Sequence, residues 1–250
     1  MPHSPEKGSP ANASSSILSE YYAQYLKQVR AVKDSTVKHY LQALRTISSR
    51  LKTYGYIQND IYEITDLAEL NLACETLKND LDFVALDIRG KNMYSSALKH
   101  YYNFANGKDF DKTKEQLLLL DVPHAAQAPN IEKHTIWNRS NILRIQAIEM
   151  AAHTCELNPT HESFIAVGTN KPYMEGHHAL PMKQQPNFTV SLDVYANIVC
   201  QCPVCHRQIH YGLLQNRKAM LNQIYQLRVD RLANSGIKLS KDEFVEIATR

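Results

Sequence analysis

The 250-residue sequence predicts an α+β protein, mainly α, on three observations. Apolar residues recur with a 3.6-residue period from about residue 17 to 107, short β-rich runs cluster between 164 and 201, and helical periodicity returns beyond 203. The layout this implies is an N-terminal helical bundle followed by a small mixed segment with flanking helices. A chain of this length can bury one large core or two modest ones. Two domains are expected, 17–120 and 135–250, with a linker at 121–134 where DVPHAAQAPNIEK carries two prolines and little periodicity.

Each element has its own signal. Residues 1–16 are Ser, Pro, Gly, Ala and Asn with almost no apolar side chain, and are expected to be disordered. Ser35 is a candidate N-cap for a helix whose face carries Val37, Tyr40, Leu41, Leu44, Ile47 and Leu51 and which Gly55 closes. Asp66 with Glu69 resembles a capping box ahead of Leu67, Leu70 and Leu72; Tyr94, Ala97, Leu98, Tyr101 and Tyr102 mark a helix ending near Gly107. A helix carrying Trp137, Ile142, Ile145 and Ile148 leads toward Cys155. Strands are expected at Phe164–Val167 and Pro172–Gly176 around the turn Gly168-Thr169-Asn170-Lys171, and again at Asn197–Gln201. Helices follow from Pro203, through Leu221, Ile224, Tyr225 and Leu232 to a stop at Gly236, and from Ser240 with Glu243 three residues on.

Composition excludes several classes. No apolar run approaches the roughly 18 residues of a membrane span, and the N-terminus lacks the apolar core of a signal peptide, so a soluble, cytoplasmic protein is expected. The formal net charge of +3 is only a weak pointer to a polyanion. Five cysteines, four of them in the C-terminal half, suit a metal better than a disulfide framework; Cys74 reads as a helical core residue.

Cys202-Pro-Val-Cys205 is a CxxC pair whose tight turn offers two thiolates to a zinc tetrahedron. Cys155 and His161, around Asn158-Pro159, can complete a closed Cys₃His structural site, with Cys200 as a substitute ligand. A second group comprises Glu175, His177, His178, Asn197, His206 and His210. Adjacent side chains of a strand point to opposite faces, so His177 and His178 are expected to do different work. His206 and His210 are four apart on a helix and share a face, where they can share a cation.

The runs YMEGHHALPM and SLDVYANIVCQCPVCHRQIHYG resemble the HNH nucleases, in particular the McrA-like group of restriction nucleases, over roughly residues 135–235. The matching features are a paired His followed by Pro, an Asn nine residues before the last motif His, and that His directly after the CxxC. The resemblance implies a ββα-metal fold and hydrolysis of phosphodiester bonds in double-stranded DNA, leaving 5′-phosphate and 3′-hydroxyl ends. It implies His178 as general base, His177, His206 and His210 as ligands of a catalytic Mg²⁺ or Mn²⁺ (Ni²⁺ or Co²⁺ as substitutes), Asn197 as the residue holding the His178 loop, and Glu175 as an orienter of an imidazole. Many members carry a second CxxC where this chain has Cys155-Glu-Leu-Asn158; His161 is the expected replacement around a structural Zn²⁺.

The run Gly90–Phe104 is similar to a helical segment at the front of several bacterial restriction-type proteins. Lys38, Arg45 and Lys52 recur at seven-residue intervals and read first as a solvated face, second as a track for a phosphate backbone. A homodimer is plausible, because cutting two strands takes two sites or two visits. The alternative function is a noncatalytic zinc-stabilised DNA-binding module, and the motif leaves an RNA-directed nuclease open.

Overall fold

The computed structural model describes residues 16–126 and 139–250. The expected disorder of the N-terminus therefore lies, Ser16 aside, outside the described residues, as do Trp137 and positions 127–134 of the expected linker. The architecture is mainly helical with two small antiparallel hairpins in the C-terminal half, the α+β, mainly α class read from the sequence. Among the described residues no helix is long and apolar enough to cross a membrane.

The N-terminal half is built from α1 (Ile17–Gln24), which runs on through a wider π-type turn at Tyr25–Val29, then α2 (Asp34–Thr53), α3 (Leu67–Asn79), α4 (Leu81–Arg89), α5 (Met93–Ala105) and the single turn α6 (Lys114–Leu117). Carboxylates start three of these helices. Asp66 accepts from the Ala68 and Glu69 amides at 2.8 and 3.2 Å, and Asp80 accepts from Asp82 while Arg50 holds it at 2.6 Å. Asp87, buried at the end of α4, receives the Tyr94 and Ser95 amides of α5 at 2.9 and 3.0 Å. Each such cap satisfies amides that the helix leaves without partners. The expected N-cap at Ser35 is displaced: α2 begins at Asp34 after Lys33, where an acidic residue in the first turn suits the helix dipole. Gly55 does end that helix, at φ +76°.

Tyr22, Tyr25, Tyr101, Phe104 and Phe110 meet ring against ring in the centre of the bundle, with centroids 5.1–6.2 Å apart. Each such ring removes enough apolar area to contribute about 4–6 kcal/mol before conformational entropy is counted. Of the leucines that follow the Asp66 cap, Leu70 is buried and Leu72 is exposed; the buried face of α3 is Leu70, Ala73, Cys74 and Leu77.

The C-terminal half runs α7 (Asn141–Met150), β1 (Ile165–Ala166), β2 (Lys171–Pro172), β3 (Glu175–His178), β4 (Ile198–Gln201), α8 (Pro203–Tyr211), α9 (Leu214–Asn234) and α10 (Lys241–Thr249). The apolar run expected as one strand at Pro172–Gly176 divides between two sheets: β2 closes a short hairpin with β1, and β3 pairs with β4 in the register Glu175↔Gln201, Gly176↔Cys200, His177↔Val199 and His178↔Ile198. Gly176 lets α7 lie close against this hairpin, since a Cβ there would sit 3.3 Å from both Arg144 Cβ and Ile198 Cγ2. The buried face of α7 is Ile142, Leu143, Gln146, Ala147 and Met150; Ile145 and Ile148, expected beside Ile142, are only half-buried. The capping box at Ser240 and Glu243 and the stop at Gly236, φ +82°, form as the sequence indicates.

The buried apolar residues of both halves form one contiguous cluster. Gln146 is its polar pivot, donating to the Phe104 carbonyl at 2.5 Å and accepting from the Tyr195 hydroxyl at 2.6 Å. Residues 121–126 lie against the C-terminal half: Arg231 grips Asp121, and Ala125 bridges to Val190. Asn141 donates to Asp66 at 2.9 Å, tying the start of α7 to the start of α3.

Candidate metal and catalytic site

Helix α8 carries two ligand groups on consecutive turns because its first residues are both a cap and a knuckle. Cys202 is its N-cap, with Sγ accepting the Cys205 amide at 3.4 Å, and Pro203 takes a position where a missing N–H costs nothing. The structure brings Cys155, His161, Cys202 and Cys205 together, with every candidate donor atom within 4.8 Å of the others. His161 Nδ1 lies 3.2 Å from Cys205 Sγ and 3.6 Å from Cys202 Sγ. Burial and the neighbouring thiols push the Cys205 thiol up; at Cys155 burial also raises the thiol, but amides of Cys202, Asn158 and Leu157 directed at its sulfur bring it below the ordinary value. Three sulfurs and an imidazole crowded without hydrophobic spacing are compatible with structural zinc. Cys200, the substitute ligand, is not in this group; it is buried on β4, where its amide donates to Glu156 at 2.7 Å. Arg228 in turn pairs with Glu156 at 2.6 Å and donates to the Ile198 carbonyl, so the loop after Cys155, β4 and α9 are locked together.

One residue further along α8 the second group begins. His177 from β3 meets His206 and His210 from α8, the three rings 4.8–5.1 Å apart in edge contacts. All three can place a nitrogen within 4.8 Å of the others. Glu175 hydrogen-bonds His206 Nδ1 and accepts from the Tyr173 hydroxyl at 3.1 Å. With Nδ1–H donating a hydrogen bond to the carboxylate, His206 Nε2 presents its lone pair, and it does so 3.2 Å from His210 Nε2. Two lone pairs at that separation repel unless a proton or a cation lies between them. Burial raises the Glu175 carboxyl, yet the hydrogen bonds from His206 and Tyr173 outweigh it and leave the group below the usual carboxylate range. Burial first, then the neighbouring imidazoles, push His177 and His210 toward the neutral form in which an imidazole binds metal. The donor set fits a divalent cation with open positions, since three imidazoles leave room for other ligands.

His178 occupies the opposite face of β3. Its Nε2 lies 2.8 Å from Asp193 Oδ1, and Asp193 Oδ2 accepts the Ser140 amide at 2.8 Å. All three residues are buried. Asn197 is also buried and fully engaged: its Oδ1 accepts from the Leu180 amide at 2.8 Å, and its Nδ2 donates to the Leu180 and Leu192 carbonyls at 3.0 and 2.9 Å. The side chain thereby stitches the segment after His178 to the segment before β4. Asp193 escaped the reading of the sequence because a carboxylate fifteen residues from its histidine has no fixed spacing; its place in SLDVYAN, close to Asn197, is the one signal that marks it. The positive charges of Arg139, Arg207 and Arg217 bear on the three-histidine group, and those of Arg144 and Arg207 on Tyr173. The structure thus brings together Cys155, His161, Cys202 and Cys205, and His177, His206 and His210, while Lys38, Arg45 and Lys52 lie exposed on α2, outside both groups.

Comparison with known proteins places this geometry in a context. No family model matches the chain, and no solved structure matches it significantly. Over 115 residues the chain is 25% identical to the type IV methyl-directed restriction enzyme EcoKMcrA of Escherichia coli (strain K12), a match covering 45% of this chain and 38% of that relative. The match therefore spans well under half of the relative, and the similarity to this restriction enzyme is a distant one.

Proposed function

We propose that the protein is a metal-dependent endonuclease of the HNH type that hydrolyses DNA phosphodiester bonds, in a restriction or defence role. The observation that carries the proposal is the pairing, on neighbouring residues of one strand, of a three-imidazole group with a carboxylate-oriented histidine. The distant similarity to a methyl-directed restriction enzyme supports DNA as the substrate. His177, His206 and His210 would hold a divalent cation, Mg²⁺ or Mn²⁺ in use, with Ni²⁺ or Co²⁺ also suited to imidazole. When bound, such an ion supplies Lewis-acid stabilisation of the phosphate and of the departing 3′ oxygen. Glu175 fixes the tautomer and ring plane of His206, the usual task of a carboxylate behind a ligating imidazole.

His178 is the general base. With its Nε2 proton donated to Asp193, Nδ1 keeps the lone pair that takes a proton from water, and such catalysis contributes on the order of 10²–10⁴ in rate. His178 is the last residue of β3, next in sequence to His177 of the three-imidazole group. Asn197 holds the segment after His178, and Arg139 and Arg207 supply positive charge for the phosphate. The Cys155, His161, Cys202 and Cys205 group would hold a structural Zn²⁺ that fixes the start of α8.

The test is cleavage of methylated and unmethylated plasmid by purified protein with Mg²⁺, Mn²⁺ or chelator, beside His178→Ala. Metal-dependent cutting lost in the variant supports the assignment. Retained DNA binding with no cutting of any substrate transfers the protein to a noncatalytic zinc-stabilised binding module.

A further inference from the structure

Helix α4 is apolar on two faces. One buries Phe83 and the capping carboxylate Asp87 against α3 and α5. The other presents Leu81, Val84 and Ile88, 83%, 36% and 68% exposed, with Ala85 exposed between them. At 100° per residue these four positions span one stripe about 100° wide. Two more exposed apolar side chains sit on the elements beside it: Leu72 on α3, and Tyr54, whose hydroxyl bonds the α4 cap Asp80. An apolar stripe of this kind on a helix that already has a core face marks an interaction surface rather than scattered surface residues.

The pattern of the stripe selects its occupant. Its centre falls between Val84 and Ala85, so a second α4 laid antiparallel places Leu81 against Ile88 of the other copy and Val84 against Ala85. The charges repeat the symmetry: Asp82, which pairs with Arg50 at 3.2 Å but stays 88% exposed, lies in the first turn and Arg89 in the last, so each end of the pair would match acid with base. We propose that α4 is a two-fold interface through which two copies of this chain associate. The association does not rest on the nuclease reading. One nine-residue helix with Leu72 and Tyr54 covers less than the roughly 1,600 Å² of a standard stable interface, so the dimer is a reversible one.

Sedimentation equilibrium of the full chain without DNA tests it. The wild type is expected to pass from monomer to dimer across micromolar concentrations, and Leu81→Asp with Ile88→Asp to remain monomeric with an unchanged melting temperature. Asp82→Arg and Arg89→Asp are each expected to weaken association at least about tenfold, and the double variant to restore it, because in a two-fold pair both reversals meet across the axis. A wild type monomeric to about 100 μM, or one whose dimer survives the apolar substitutions, overturns the proposal. If the apolar variant fails to fold, the exposed charge pair decides alone: single reversals without effect overturn it, and loss followed by restoration supports it. DNA cleavage plays no part in any arm, so failure here leaves the proposed activity untouched, and the reverse holds.

Discussion

Asp193→Asn isolates the tautomer of His178. In the protein one oxygen of Asp193 accepts the Ser140 amide and the other meets His178 Nε2, both at 2.8 Å. An amide side chain has one accepting end and one donating end. The Ser140 N–H can be satisfied only by the accepting end, so the NH₂ of the substituted side chain turns to the imidazole and selects the form with a bare Nε2 and a proton on Nδ1. The atom assigned to take the proton from water is then already protonated. A hydrogen bond to a charged group is worth about 1.5–3 kcal/mol net, and each 1.36 kcal/mol is tenfold in rate, so the cleavage step should slow about 10- to 150-fold with KM little changed. Single-turnover nicking of supercoiled plasmid with Mn²⁺ measures it, beside His178→Ala, for which a loss of about 10²–10⁴ is expected. Asp193→Ala is the structural control, because it leaves the buried Ser140 amide unpaired and should cost about 1–3 kcal/mol of stability. An Asp193→Asn enzyme that nicks at the wild-type rate while His178→Ala is inactive would refute the reasoning, since the carboxylate would then not set the base.

Four further outcomes follow from the packing. Cys205→Ser should reduce bound zinc from one equivalent toward none by elemental analysis and cost at least about 3 kcal/mol, about 6–12 °C in Tm for a chain of this size. Arg228→Ala leaves Glu156 without its buried partner and should cost about 3–5 kcal/mol in denaturant unfolding, whereas the exposed Lys38→Ala should stay within about 0.5 kcal/mol. Gly107→Ala should lose about 1–3 kcal/mol by the same assay, because φ is +68° and the new Cβ would lie 2.9 Å from Glu149 Cβ, where α5 meets α7. The Asp66 carboxyl is held below its ordinary value by the Asn141 side chain and the Glu69 and Ala68 amides, so its contribution is present above about pH 3.9 and fades as pH falls through the lower folded value; Asp66→Ala should cost about 0.5–2 kcal/mol at pH 7, a deficit that shrinks in acid unfolding below that pH.

What the sequence makes legible divides along the range of the interactions. Caps, stops and ligand spacings within one element are local, which is why Gly55, Asp66, Gly236, the Ser240 box and the Cys202–Cys205 knuckle stand where the sequence puts them. The face of α7 departs from its periodicity because its buried side depends on Phe104 and Tyr195, residues 42 positions before and 49 positions after Gln146. Leu72 is apolar yet exposed on α3, because an apolar side chain does not by itself say which face of a helix finds a partner. The pairing of Pro172 with Ile165 across the turn is local, whereas the division of Pro172–Gly176 between two hairpins follows from the partner of Glu175 at Gln201, which no window around it contains. The cysteine and histidine groups are legible because these residue types are rare enough for clustering to be informative, while Asp193 belongs to an abundant type whose partner emerges only once the chain is folded.

Cys205 and His206 are joined by a single peptide bond, so the last thiolate of one group and the first α8 imidazole of the other move as one body. Inhibition by a strong chelator would therefore carry two meanings at once, the loss of an ion that reacts and the loosening of the helix that aims its ligands. The two separate in the order of recovery: activity regained on adding Mg²⁺ or Mn²⁺ alone reports a site emptied but still aimed, and activity regained only when Zn²⁺ is supplied first reports a helix that had to be set back in place.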